Sequence, residues 1–222
     1  MSAAALTPPV QNRLDIAAIL GLAPVVPVLI IDRLDDAVPL AQALVAGGLR
    51  VLEVTLRSDA ALDAIAAIAK SVPDAVVGAG TVLTPSQVAR VQNAGGRFIV
   101  SPGAYPALVE AALESGVPYL PGVATPSEAM ALLARGVRHQ KLFPAEAVGG
   151  VELLRSLASP LPQVTFCPTG GITPQKAPEY LALPNVACIG GSWVAPAKLV
   201  AARDWQGITD LAREASQLRR RA

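Results

Sequence analysis

The chain has 222 residues, 52% of them apolar, with 18 Lys and Arg against 17 Asp and Glu, one His and two Cys. A net charge of +1 leaves no electrostatic footprint for nucleic acid or an acidic surface, and a single His without a Cys/His cluster argues against a zinc site. The longest apolar stretch, Leu20 to Ile31, is broken by Pro24 and Pro27 and is too short to span a bilayer. With no basic-then-apolar leader pattern, the expected setting is cytoplasmic.

In chain order, residues 10–20 read as a helix ahead of the first strand. Apolar, β-branched runs then recur at 25–31, 50–55, 75–80, 98–101, 119–121, 139–143, 163–167 and 187–190, with starts about 20 to 25 residues apart. Alanine-rich stretches with helical spacing lie between them, at 35–46 and 58–70 for example. In the second of these, Leu62, Ile65, Ala66 and Ala69 are expected to share the apolar face. Strand alternating with helix eight times predicts an α/β chain whose parallel sheet closes into a (β/α)8 barrel, with the N-terminal helix as an addition that plugs its bottom. An open doubly wound sheet is the competing architecture. No linker, low-complexity segment or charge block divides the chain, so residues 1–222 are expected to form one domain.

Capping residues support these units. Thr84-Pro85, Thr125-Pro126 and Thr173-Pro174 each place a threonine N-cap before a proline at the first helical position. Gln87 and Glu128 complete capping boxes in the first two. Gly47, Gly95 and Gly116 stand where helices should end. Arg219, Arg220 and Arg221 read as a solvated helix end, and Cys167 and Cys188 as free core thiols.

Chemistry concentrates on three runs. In Val51-Leu52-Glu53-Val54-Thr55-Leu56-Arg57, strand alternation sends Glu53 and Thr55 into the barrel and puts Arg57 at its mouth. A carboxylate placed there is costly unless paired or used; Glu53 fits a general acid/base and Arg57 a bidentate anchor for a substrate carboxylate. A bridge that merely holds the strand ends together is the plainer alternative. Thr81, just past the third strand, would sit beside them. Lys141 ends a short strand-like run among apolar residues, Gln140-Lys141-Leu142-Phe143-Pro144. Burial penalises an ammonium, so an enclosed lysine can present the neutral amine that attacks a carbonyl; a lysine snorkelling past a strand end is the alternative. Finally, Thr169-Gly170-Gly171 and Gly190-Gly191-Ser192 follow the seventh and eighth expected strands, where barrels of this kind often bind phosphate. From the residues alone, a Schiff-base aldolase, a sugar-phosphate isomerase or epimerase, and a non-catalytic phosphometabolite-binding protein all remain open.

Several blocks carry a resemblance that runs nearly end to end. They are Gly47-Gly48-Leu49-Arg50-Val51-Leu52-Glu53-Val54-Thr55-Leu56-Arg57, Val77-Gly78-Ala79-Gly80-Thr81, Ser101-Pro102-Gly103, Lys141-Leu142-Phe143-Pro144-Ala145-Glu146, Phe166-Cys167-Pro168-Thr169-Gly170-Gly171-Ile172 and Cys188-Ile189-Gly190-Gly191-Ser192-Trp193. The chain resembles the bacterial 2-keto-3-deoxy-6-phosphogluconate aldolase / 4-hydroxy-2-oxoglutarate aldolase family. The resemblance implies a (β/α)8 homotrimer with no metal or organic cofactor, acting on a small phosphorylated keto acid. It further implies Lys141 as the Schiff-base residue and Glu53 as the proton carrier. Arg57 and Thr81 would hold the pyruvate carboxylate, Pro102 and Phe143 would shape the pocket, and Gly170, Gly171, Gly191 and Ser192 would bind phosphate.

Overall fold

The computed structural model describes residues 14–218. The beginning of the expected N-terminal helix (10–13) and the arginine tail (219–221) lie outside the described residues. The elements run α1 (Ile16–Gly21), β1 (Val25–Leu29), α2 (Leu34–Ala46), β2 (Val51–Thr55), α3 (Ala61–Ser71), β3 (Val76–Gly80), α4 (Pro85–Asn93), β4 (Ile99–Val100), α5 (Pro106–Glu114), β5 (Tyr119–Leu120) and β6 (Gly122–Val123). They continue with α6 (Pro126–Leu133), β7 (His139–Leu142), α7 (Gly150–Ala158), β8 (Thr165–Phe166), α8 (Ala177–Leu181), β9 (Ile189–Gly191), α9 (Ala197–Ala202) and α10 (Trp205–Ser216).

Every strand pairing is parallel. One sheet has the order β5-β4-β3-β2-β1-β9 and the other β6-β7-β8. Single parallel bridges, Phe166 with Val186 and Thr169 with Gly190, lie between the β8 and β9 stretches. Parallel neighbours need crossover connections, which the intervening helices supply.

Strand alternation divides the core. Leu29, Leu52, Val54, Val77, Ala79, Leu142 and Ile189 join the large cluster that also takes in the buried helix faces. Val26, Val51, Val76, Phe98, Val100 and Leu120 point the other way, into a smaller cluster. That cluster is closed by Ile19 and Leu20 of α1, itself started by an Asp15 side chain that accepts from the Ala18 N–H. Cys167 and Cys188 are thiols buried in the same cluster, their sulfurs 3.5 Å apart and not joined by a disulfide.

Several local expectations need correcting. The fifth apolar run does not end at Pro121; the chain continues in strand conformation through Val123 but changes partner at the proline, from β4 to β7. Pro121 has no N–H to give a ladder, and its carbonyl accepts from the Lys141 N–H at 2.7 Å. In α3 the buried stripe is Ala61, Ala64, Ile65 and Ile68, which leaves Ala66 and Ala69 exposed. The two isoleucines carry far more apolar area than the alanines, and their i, i+3 spacing sets the helix rotation. Both capping boxes are present, Thr84 with Gln87 and Thr125 with Glu128. Glu128 is held below its usual range, chiefly by the Ala124 N–H. Thr173-Pro174 caps no helix: Thr173 accepts from Lys176 and Ala177 in a turn, and α8 begins at Ala177. After α2, Gly47 remains helical and Gly48 takes the left-handed conformation, with φ +96°.

Candidate active site

On β7, Gln140 and Leu142 face the helices. Leu142 is in the large apolar cluster, and the fully buried Gln140 amide donates to the Ala129 and Val137 carbonyls, each at 3.0 Å. Anchoring that face sends Lys141 and Phe143 to the opposite one. On β2, Leu52 and Val54 are likewise committed to the helix side, which leaves Glu53 and Thr55 on the same side as Val51. Two residues 88 positions apart thereby meet. Lys141 Nζ donates to Glu53 Oε1 at 3.1 Å, and only 5% of the lysine and 3% of the glutamate is exposed. The ammonium also lies 5.2 Å from the centroid of the Phe143 ring, within cation–π range.

Glycine makes the room for this pair. A Cβ built on Gly80 would lie within 2.7 Å of Glu53 Cγ and Cδ, and closer still to Oε1. The next residue, Thr81, has φ +57°, a conformation that a β-branched side chain avoids. It is held there from both sides, because the Leu56 N–H donates to the Gly80 carbonyl and the Val82 N–H to the Val100 carbonyl. Strain retained by such surroundings is common at functional sites. Thr55 Oγ1 donates to the Leu29 carbonyl at 2.7 Å and ties β2 to β1. Pro102 is half-buried, and its carbonyl packs against Gly122, the residue that pairs with Lys141 across β6 and β7.

A cavity of about 760 Å³, of a size that takes a small ligand, shares Phe143 with the Lys141–Glu53 pair, although Lys141, Glu53, Thr81 and Pro102 do not themselves line it. Phe143, Arg57, Gly170, Gly171 and Ser192 line it, which brings five of the sequence-expected residues around one cavity. Arg57 is exposed and has no carboxylate partner among the described residues. Gly170 and Gly171 both have positive φ, +106° and +78°, which turns this loop's backbone as only glycine does readily. Gly191 faces away, beneath the Trp193 ring, while its neighbours Gly190 and Ser192 reach the cavity.

The loop after β8 is braced from below. The Ala145 and Glu146 N–H groups donate to the Thr169 and Gly170 carbonyls, and Glu146 takes a hydrogen bond from Lys176 and another from Tyr180. Lys176 first, then Tyr180, holds the Glu146 carboxyl below its usual range; burial and the same carboxylate push the Tyr180 hydroxyl up.

Residue reading placed Thr169 in the glycine loop but gave it no role of its own; its buried Oγ1 has no protein partner, and it lines the cavity. The only sequence signal was its place immediately before Gly170-Gly171. Residue reading missed Asp32, Arg33 and Asp36, which line the cavity from the β1–α2 loop and the first turn of α2 and belong to no motif. Among the described residues no group of three His, Cys, Asp or Glu could hold a metal, and no helix is long and apolar enough to cross a membrane.

A family model for KDPG and KHG aldolase matches residues 16–211. The KHG/KDPG aldolase of Escherichia coli K12 is 56% identical over 198 residues, which is 89% of this chain and 93% of that one. Among solved structures, the KDPG aldolase of Legionella pneumophila, with pyruvate captured at low pH as a covalent carbinolamine intermediate, superimposes with a TM-score of 0.89. It is 47% identical, over 90% of this chain and 98% of that one. The Zymomonas mobilis ZM4 enzyme, described as a 2-keto-3-deoxy-6-phosphogluconate aldolase with 3-phosphoglycerate, gives 0.87 at 51% identity, over 93% of this chain and 97% of the other.

Proposed function

The chain belongs to the KDPG and KHG aldolase family, and from that premise we propose a class I aldolase that cleaves 2-keto-3-deoxy-6-phosphogluconate to pyruvate and glyceraldehyde 3-phosphate, and 4-hydroxy-2-oxoglutarate to pyruvate and glyoxylate. The observation that carries the chemistry is the buried amine–carboxylate contact at 3.1 Å. Two charges so enclosed lose more solvation than a plain bridge repays, whereas an aldolase needs this juxtaposition.

Glu53 is the nearest base to Lys141 and takes its proton. The free amine attacks the C2 ketone to give a carbinolamine, Glu53 returns its proton to the C2 hydroxyl, and loss of water leaves a protonated imine. That cation accepts the electron pair of the C3–C4 bond as it breaks. Glu53, again a carboxylate, takes the C4 hydroxyl proton while the aldehyde forms, then returns a proton to C3 of the enamine. Hydrolysis releases pyruvate and restores the amine. Arg57 and Thr81 hold the carboxylate end, Pro102 and Phe143 bound the reacting carbons, and Gly170, Gly171 and Ser192 receive the phosphate. The free Thr169 hydroxyl supplies a further donor toward the cavity. Fixing both ends of a six-carbon substrate lowers the entropic part of the barrier.

For the architecture, we read the nine strand segments as eight staves of a closed (β/α)8 barrel in one domain. β5 and β6 form a single stave that changes partner at Pro121, and the bridges at Phe166 and Thr169 support closure between the last two. α1 then plugs the bottom through Ile19 and Leu20. A cytoplasmic homotrimer is the assembly this reading carries.

The reading is tested by coupling pyruvate release to lactate dehydrogenase, with 2-keto-3-deoxy-6-phosphogluconate, its C4 epimer and 4-hydroxy-2-oxoglutarate in turn. Release from the first is expected; silence with all three at saturating substrate rules it out. Gly80→Ala supplies a finer check. The new methyl displaces the Glu53 carboxylate, so kcat should fall about 100-fold, the scale of a misplaced reacting group, while circular dichroism stays native. Unchanged kcat would mean that the Glu53 position does not matter.

A further inference from the structure

The cavity carries a second arginine that the reaction scheme does not use. Arg33, in the loop between β1 and α2, lines the same cavity as Gly171 and Ser192. β1 pairs with β9, so this loop emerges beside the Gly190–Ser192 loop. Arg33 is tethered only loosely. Its Nε lies 3.6 Å from Asp36 Oδ2, beyond hydrogen-bond distance, and its side chain is 66% exposed. Asp36 is buried, and Arg203 Nε lies closer to it than Arg33 does, 2.9 Å from its other oxygen, in an ion pair without hydrogen-bond alignment. Arg203 takes the left-handed conformation (φ +54°) at the end of α9 while making that contact. One buried carboxylate thus faces two guanidinium groups, and the nearer of them is Arg203. Asp32, exposed on the same loop and lining the same cavity, works against an anion there; its charge meets solvent, which screens it.

We propose that Arg33 is the cation that makes this cavity prefer a phosphorylated substrate: it leaves Asp36 to Arg203 and pairs with the phosphate dianion that the two glycine loops receive. This rests on the aldolase reading and deepens it. Backbone N–H groups favour any anion, whereas a guanidinium adds a charge-assisted, geometrically matched pair to phosphate. A five-carbon dicarboxylate such as 4-hydroxy-2-oxoglutarate, one carbon shorter and with no phosphate, does not extend to the same contact.

Arg33→Gln separates the two substrates. KM for 2-keto-3-deoxy-6-phosphogluconate should rise about tenfold, the low end for a charge-assisted contact because the group is exposed. KM for 4-hydroxy-2-oxoglutarate and both kcat values should stay within about twofold. Arg33→Lys, which keeps the charge without the fork, should recover part of the loss. Competitive inhibition by inorganic phosphate should weaken in the same ratio. Equal changes for both substrates, or none, would overturn the proposal, since a structural role moves both together. Calorimetric titration of inorganic phosphate into the wild-type and Arg33→Gln proteins needs no turnover. If phosphate binding weakens in the variant but neither protein releases pyruvate, the aldolase reading fails and the Arg33 assignment stands; equal phosphate binding sinks the assignment whatever the turnover.

Discussion

Lys141→Ala should form no covalent adduct when the protein is treated with pyruvate and borohydride, whereas the wild-type chain should gain one reduced pyruvyl group on Lys141, located by peptide mass. Turnover should fall by about 10⁴-fold or more, the scale on which an enzyme loses its nucleophile. The substitution also strands Glu53. A carboxylate only 3% exposed would lose its counter-charge, at a cost of about 3–5 kcal/mol for breaking a buried pair from one side. Loss of activity could then come from loss of fold, and two further variants separate the causes. Lys141→Arg keeps a cation beside Glu53 but cannot form an imine, so it should be folded and dead. The double variant Lys141→Ala, Glu53→Gln removes both charges and should recover much of the lost melting temperature with none of the activity. An active Lys141→Arg protein, or borohydride trapping on another lysine, would remove Lys141 from the centre of the chemistry.

The residues that meet at the site were legible because strand alternation is a strong rule where one face is committed to helices. Leu52 and Val54 take the helix side of β2, so Glu53 had one remaining direction; Gln140 and Leu142 do the same for Lys141. What no local pattern supplied was the pairing itself. Glu53 and Lys141 are 88 positions apart, and their contact depends on β2 and β7 lying across the same enclosed space, with Gly80 leaving room for the carboxylate. The resemblance to a known family, rather than periodicity, placed these two residues together beforehand.

The misread features share a cause: they depend on what lies on the far side of an element. Ala66 and Ala69 fit a helical stripe as well as Ala61 and Ala64 do, and only the positions of Ile65 and Ile68 against neighbouring elements decide between them. Thr173-Pro174 has the composition of a helix start, yet its carbonyl closes a turn and α8 begins later. Arg33 and Asp36 left no trace in a motif because their relation to the cavity comes from β1 lying next to β9, and their relation to Arg203 from a residue 167 positions beyond Asp36. Cys167 and Cys188 could be expected as core thiols from their strand-like settings, and they do lie together in the smaller cluster.

Glu53→Gln should divide the reaction at the step where carbon chemistry begins. Glutamine keeps the shape of the side chain and an oxygen that can accept from Lys141, so the site should stay assembled around the 3.1 Å contact. It cannot take a proton, however. Imine formation with pyruvate should still be detectable by borohydride trapping, more slowly than in wild type because the amine has lost its nearest base. Cleavage of the six-carbon substrate should fall about 10²- to 10⁴-fold, the usual contribution of a positioned general acid–base. The same loss should appear where no C–C bond is involved. Wild-type protein in deuterated water should exchange the methyl protons of pyruvate, because Glu53 carries protons to and from the enamine carbon, and the variant should exchange them more slowly by a comparable factor. Proton NMR of the methyl signal measures this directly. If exchange persists at the wild-type rate while cleavage is lost, another group protonates C3, and Glu53 is confined to the C4 hydroxyl. If trapping is lost and exchange follows it, the proton taken from Lys141 is the transfer that no other group can replace, and the loss falls before carbon chemistry begins.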